Sequence, residues 1–67
     1  MTINKFIKVC SREESPIGDF AKDIIREEDF PFIESNEQVL ELLQSRANRF
    51  GLIKVYNEFK IEFEKSK

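Results

Sequence analysis

The chain has 67 residues, of which 40% are hydrophobic and 36% charged, and a formal net charge of −2. This length allows one domain, and the apolar fraction excludes a disordered chain. One cysteine, Cys10, and no histidine occur, which excludes an internal disulfide and a cysteine-based zinc site. We expect a reducing, cytoplasmic setting, because the chain shows neither a signal-peptide pattern nor a membrane-spanning run.

The first two predicted helices each begin at a capping residue. Thr2 caps a helix over approximately residues 3–12, whose apolar positions repeat at helical spacing. Ser15 caps a second helix over 16–29, and the proline that follows fits its first position, where a missing N–H costs nothing. Gly18 indicates that another backbone approaches the first turn of this helix. The two predicted apolar faces comprise Ile3, Phe6, Ile7, Cys10, Ile17, Phe20, Ala21, Ile24 and Ile25.

The third helix, over residues 36–49, begins at a capping box in which Ser35 is the N-cap and Gln38 the third helical residue. Gly51 marks its end, and a fourth helix covers residues 52–64. The predicted inward residues are Val39, Leu40, Leu42, Leu43, Ala47, Phe50, Leu52, Val55, Tyr56, Phe59 and Phe63. Because no segment alternates with a period of two, we predict an all-α fold, a compact bundle of four short helices in one domain.

Two short motifs in and after the second helix suggest a family. They are the run Gly18, Asp19, Phe20 and Ala21, and the pair Phe30 and Pro31. With a leucine-rich third helix and an aromatic fourth helix, they resemble the YozE family of small bacterial proteins, which have a sterile-alpha-motif-like fold. The resemblance covers nearly the whole chain, although the fourth helix lacks the tryptophan that we expect from the family. It implies the fold and a bacterial source, and it carries over no site residue.

The composition argues against catalysis. Without histidine, the commonest general base and metal ligand is missing, and Cys10 falls on an apolar face, where a thiol acts as a small hydrophobic group. Asp19, Asp23 and Glu27 recur every four residues and could hold a hard cation, but a solvated face with neighbouring bases is the simpler interpretation. We therefore predict a non-enzymatic protein without a cofactor, a metal ion or a small-molecule substrate.

Charge is segregated along the chain. Residues 13–41 carry ten acidic and two basic side chains, whereas residues 1–12 and 42–67 each carry three more bases than acids. If the termini lie together, a basic face of one copy can dock on an acidic face of the next, a heterologous contact that builds chains or rings. The resemblance implies the same mode, because sterile-alpha-motif domains commonly associate by an end-helix surface against a mid-domain surface.

The fourth helix is the predicted basic face. On a helical wheel Ile61 falls opposite the core, close to Lys54 and Lys65, so that an exposed apolar residue lies among lysines. Arg46 projects onto the apolar side of the third helix, where we expect its stem to lie along the core and its charged head to reach solvent. An acid of the second helix, such as Asp23, is a candidate partner, and an interface arginine is the alternative. The predicted partner-binding residues are Lys54, Ile61, Lys65 and Arg46, with Asp19, Asp23, Glu27 and Glu28 on the opposing face.

Three functions compete on these observations. The leading hypothesis is a protein–protein interaction module that self-associates or binds another protein. The alternative is nucleic-acid binding, which a pI near 5.1 opposes; its phosphate contacts would come from Arg46, Arg49, Lys54, Lys60, Lys65 and Lys67. A third hypothesis, an acidic mimic of DNA, rests on residues 13–41 and is opposed by the nine bases outside them. None of the three involves a membrane.

Overall fold

Four α-helices make up the fold, as the spacing of the apolar residues predicts. The computed structural model describes residues 1–66 and contains α1 (Ile3–Cys10), α2 (Pro16–Ile25), α3 (Asn36–Phe50) and α4 (Ile53–Lys65). No strand occurs within the described residues, so the prediction of an all-α bundle is confirmed. α2 packs against both α1 and α4, and α4 also packs against α3. α2 and α4 therefore form the centre of the bundle.

The predicted caps begin the first three helices. The hydroxyls of Thr2 and Ser15 each accept a hydrogen bond from the backbone N–H three residues further on. Ser35 and Gln38 form the full capping box, because each side chain bonds the backbone N–H of the other residue. Leu52, which precedes α4, provides no side-chain cap. The start of α4 therefore depends on tertiary packing rather than on a local signal.

An aromatic cluster joins three of the helices. The ring of Phe6 in α1 lies 5.2 Å from that of Phe59 and 5.3 Å from that of Phe63, both in α4. The ring of Phe20 in α2 lies 5.7 Å from Phe59, edge to face. Such pairs contribute about 0.5–1.5 kcal/mol each beyond the burial of their area. The buried core consists of Ile3, Phe6, Ile7, Cys10, Phe20, Ala21, Ile24, Val39, Leu40, Leu43, Ala47, Tyr56, Phe59 and Phe63.

The predicted second helix is too long. α2 ends at Ile25 rather than at residue 29, because the next backbone hydrogen bonds span three residues, from Glu27 N to Ile24 O and from Phe30 N to Glu27 O. Two physical causes act together. Pro31 disfavours helical geometry at the preceding residue, and three consecutive acids at residues 27–29 oppose the negative end of a helix dipole. α1 likewise ends two residues early, and α3 and α4 agree with prediction to within one residue.

Two residues predicted to point inward from α3 are exposed. Leu42 and Phe50 keep about half or more of their surface in solvent, because α4 covers the face of α3 that is centred on Leu43. Phe50 is the last residue of α3 and projects past that contact. In and before α4, Leu52 and Val55 are only partly buried against the core. The predictions that Leu42 and Phe50 point inward were therefore wrong, since the buried face of α3 is narrower than its apolar face.

The segment between α2 and α3 is tied to α1. The side-chain amide of Asn4 donates to the carbonyl oxygen of Phe32 at 2.6 Å and accepts from its N–H at 3.3 Å. The N–H of Ile3 donates to Asn36 Oδ1 at 3.1 Å. The rings of Phe30 and Phe32 contact each other edge to face at 5.8 Å and pack against the core. The segment is thus held to α1 at Phe32 and at its junction with α3.

Gly18 lies where the connection between α1 and α2 crosses the first turn of α2. A Cβ atom at this position would overlap the carbonyl oxygen of Glu13 and lie 3.1 Å from that of Cys10. The predicted approach of another backbone is therefore confirmed. Gly51 has a different role, because it ends α3 in the left-handed conformation with φ of 70°.

We expect Gly18→Ala to lower the free energy of unfolding by about 1–3 kcal/mol, since the new methyl group must displace the backbone of Glu13. At an open helical position the same change would raise stability by about 1 kcal/mol. Urea denaturation followed by circular dichroism measures the difference. The matched control is Gln44→Ala at an exposed position of α3, and a Gly18→Ala variant as stable as the unaltered chain contradicts the prediction.

Candidate functional site

The four acidic residues predicted to bind a partner lie along one groove. Asp23, Glu27 and Glu28 line a cleft of about 480 Å³ between the end of α2 and the junction of α3 with α4. Asp19 and Asp23 line an adjoining cleft of about 230 Å³ beside the start of α4. The two clefts share Asp23 and two apolar residues. We call this continuous surface the acidic groove.

The acidic groove also has an apolar lining. Phe20 and Leu52 line both clefts, and the exposed ring of Phe50 lines the larger one. Aromatic side chains in such positions are typical anchors of protein interfaces. The helical spacing of Phe50 predicts a core position, which the structure contradicts. The sequence signal against that placement is its position directly before Gly51, where α3 ends and can no longer pack along α4.

Arg46 forms one wall of the groove. Its guanidinium pairs with the carboxylate of Glu27 and lies 5.8 Å from the centre of the Phe50 ring. Glu27 lies within the range predicted for the second helix, so the expected pairing with an acid of that segment is confirmed. The suggested residue, Asp23, was wrong, because the turn after α2 brings Glu27 towards α3 while Asp23 pairs with Arg26 at 3.6 Å. Arg46 therefore neutralises part of the acidic groove and does not join a basic surface of α4.

Nearby bases compensate most of the charge in the groove. Asp19 lies 4.0 Å from Lys22, and Asp23 pairs with Arg26, both as exposed pairs within α2. Such pairs contribute only about 0.2–0.5 kcal/mol each. Glu28 has no ion-pair partner within residues 1–66. Over the same residues, no group of three or more histidine, cysteine, aspartate or glutamate side chains is arranged to hold a metal ion.

The outer face of α4 presents an apolar residue among mixed charges. Ile61 is exposed, as predicted, and Lys54 and Lys65 are exposed on the same helix. However, α4 contains three glutamates beside its three lysines, and Lys65 pairs with Glu62 at 3.6 Å. Lys67 lies outside the described residues. Asn57, Lys60, Ile61, Glu64 and Lys65 lie side by side on this open face.

Two titratable groups are buried in the core. Cys10 is buried on α1, and this burial, with the charges of Glu13 and Glu62, raises the pKa of its thiol to about 11. Burial and the charge of Glu41 raise the pKa of Tyr56 as well. Both groups therefore remain neutral near pH 7, and the interpretation of Cys10 as a buried small hydrophobic group is confirmed.

No helix within residues 1–66 combines the length and the apolar character needed to cross a bilayer.

Comparison of the chain with family models, curated proteins and solved structures gives no match. The resemblance to the YozE family therefore stays a prediction, and the fold class rests on the four helices and their packing.

We expect the Cys10 thiol to react slowly with iodoacetamide in the folded protein. At pH 8 a thiol with a pKa of about 11 is ionised in about one molecule in a thousand, against about one in ten for the model value of 9.0. Mass spectrometry over a time course measures the labelling. The control is the protein unfolded in about 8 M urea, a concentration that unfolds most small domains. Equal rates in the two states contradict the burial of Cys10.

We expect Arg46 and Glu27 to be coupled by about 0.5–1 kcal/mol, because their side chains are 34% and 37% exposed and solvent screens the pair only partly. A double-mutant cycle with Arg46→Gln and Glu27→Gln, read by urea denaturation, isolates this coupling. The exposed pair of Asp23 and Arg26, with side chains 58% and 78% exposed, is the matched control and should show a smaller value. Equal coupling in the two cycles contradicts the structural role of Arg46.

Proposed function

We propose that this protein is a non-enzymatic protein–protein interaction module that associates head to tail with further copies of itself. Two surfaces support the proposal. The acidic groove combines carboxylates with the exposed ring of Phe50, and the outer face of α4 combines Ile61 with lysines. The residues that line the acidic groove and those grouped around Ile61 on the outer face of α4 are different residues. One copy can therefore use both surfaces at the same time.

The observation that carries the proposal is the pairing of apolar and charged groups on each surface. Ile61 of one copy would contact Phe50 of the next, while Lys54 and Lys65 approach the groove carboxylates, among which Glu28 has no ion pair within the described residues. When the acidic groove of one copy binds the α4 face of another, the pair still has one free groove and one free α4 face. Further copies can therefore add, so that chains or rings grow. Because the charges are exposed, the association weakens as salt rises.

We expect the average molar mass to rise with protein concentration past twice the mass of one chain, and to fall at high salt. Light scattering on a sizing column measures this mass. Ile61→Asp should stop the growth, because it places a carboxylate against the acidic groove. Leu42→Asp is the matched control, since Leu42 is 49% exposed and Ile61 is 54% exposed on neighbouring helices.

Circular dichroism should show the same helical signal for both variants, because neither side chain is buried. Loss of growth in both variants would show that any added charge prevents association, and a mass equal to one chain under all conditions would contradict self-association. The nucleic-acid alternative is tested with a single-stranded oligonucleotide in the same buffers. A shift of the oligonucleotide that disappears steeply with salt would favour that alternative.

A further inference from the structure

The ion pairs divide the surface into compensated and uncompensated regions. All four pairs within the described residues involve side chains of α2, of α4, or of the two residues Glu27 and Arg46. No ion pair among residues 1–66 involves residues 1–12, which carry three bases and no acid. The same is true of residues 29–41, which carry four acids and no base. Two runs of unpaired charge, each of one sign, therefore lie outside the acidic groove and outside α4.

Residues 29–41, which we call the acidic segment, present an apolar side chain. Ile33 is 98% exposed, more than any other large hydrophobic residue of the described chain. The adjacent Phe32 is held by both hydrogen bonds of Asn4 and packs against the core, and Ser35 caps α3 two residues later. Ile33 is thus held in place between two anchored positions. An apolar residue fixed in this way loses little conformational entropy when it binds.

The outward face of α1 has the complementary character. Lys5, Lys8 and Val9 are all exposed, on the side of α1 opposite its buried residues. Lys5 and Val9 are four residues apart and are therefore neighbours on the helix surface. Arg12, also exposed, follows directly after the helix. This basic face of α1 thus places bases beside an exposed apolar residue, as the acidic segment places acids beside Ile33.

We propose that two copies of this chain form a closed dimer, in which the acidic segment of each copy packs on the basic face of α1 of the other. Ile33 contacts Val9, and Glu34 and Glu37 approach Lys5 and Lys8. The two surfaces adjoin within one copy, because Asn4 bonds the acidic segment directly to α1. A two-fold axis then lets both contacts form at once, and the assembly stops at two copies.

This dimer is independent of the head-to-tail contact. It uses neither Ile61 nor any residue that lines the acidic groove. A stable interface buries about 800 Å² per partner, which would be about a sixth of the 4718 Å² of accessible surface. One short helix and one segment supply less than that area, so the dimer is weak and salt-sensitive. It is therefore measured at high protein concentration and low salt.

The test uses the Ile61→Asp variant, in which head-to-tail growth is removed. Sedimentation equilibrium or light scattering over a concentration series should give a mass that levels off at twice that of one chain. Adding Ile33→Ser should raise the dimer dissociation constant by about tenfold or more, as expected for an apolar anchor. Adding Phe50→Ser is the control for loss of an exposed apolar side chain, and it should leave the dissociation constant unchanged, because Phe50 lies in the acidic groove and not in the proposed dimer contact.

Charge reversal identifies the two contacting surfaces. In the same Ile61→Asp background, Lys5→Glu with Lys8→Glu should abolish the dimer, and so should Glu34→Lys with Glu37→Lys. All four replacements together should restore it, because opposite charges again face each other across the two-fold axis. Circular dichroism confirms that each variant stays folded. If the first two replacements abolished the dimer by damaging the fold, the second two would not restore it. Recovery of the dimer in the fourfold variant therefore shows that the two surfaces are in contact.

Three outcomes would overturn the closed dimer. They are an Ile61→Asp variant that is monomeric at every concentration, a mass that grows past two chains in that variant, and a fourfold variant that stays monomeric. If the Ile61→Asp variant is monomeric but the mass of the unaltered chain rises with concentration, the head-to-tail contact remains supported. Conversely, an unaltered chain that stops at two copies, with the same behaviour after Ile61→Asp, supports the dimer and contradicts the head-to-tail contact.

Discussion

The ring of Phe59 is the contact on which the bundle depends. It meets Phe6 and Phe20 edge to face, and thereby joins α4 to α1 and α2. A domain of this length has little apolar surface to bury and is marginally stable, so large aromatic side chains supply much of the core. Their burial uses one face of each helix, which leaves the outer faces of α1 and α4 free for contacts with other molecules.

The early end of α2 determines both candidate surfaces. Because the helix stops at Ile25, Glu27 turns towards Arg46 and closes one side of the acidic groove. The chain that follows runs over the aromatic pair of Phe30 and Phe32 to the cap of α3. Three acids followed two residues later by a proline therefore have structural consequences on two sides of the molecule.

The total charge of −2 conceals surfaces of different kinds. Within α2 and α4 three acids pair with neighbouring bases, which neutralises those side chains but leaves Lys54 without an ion pair within residues 1–66. The basic face of α1 and the acidic segment have no such internal pairs within residues 1–66. Unpaired surface charges steer association and set its specificity. The location of ion pairs, rather than the count of charges, therefore distinguishes the surfaces.

Local signals in the sequence predicted the elements well, because they act within a few residues. Thr2, Ser15 and the capping box at Ser35 placed three helix starts, and the apolar spacing of α1 identified its buried face completely. The spacing of α4 likewise indicated that Ile61 is exposed. Capping and periodicity depend on side chains three or four residues apart, so that no knowledge of the rest of the chain is needed.

Tertiary structure decided which charges meet and how far each apolar face is covered. The exposure of Phe50 follows from where α4 begins, and the pairing of Arg46 with Glu27 follows from the turn after α2. Neither fact is encoded within one helix. The sequence alone determined four amphipathic helices and a segregation of charge along the chain. Only the packed structure shows which charged and apolar residues share a surface, because residues that are neighbours in space come from helices that are distant in sequence.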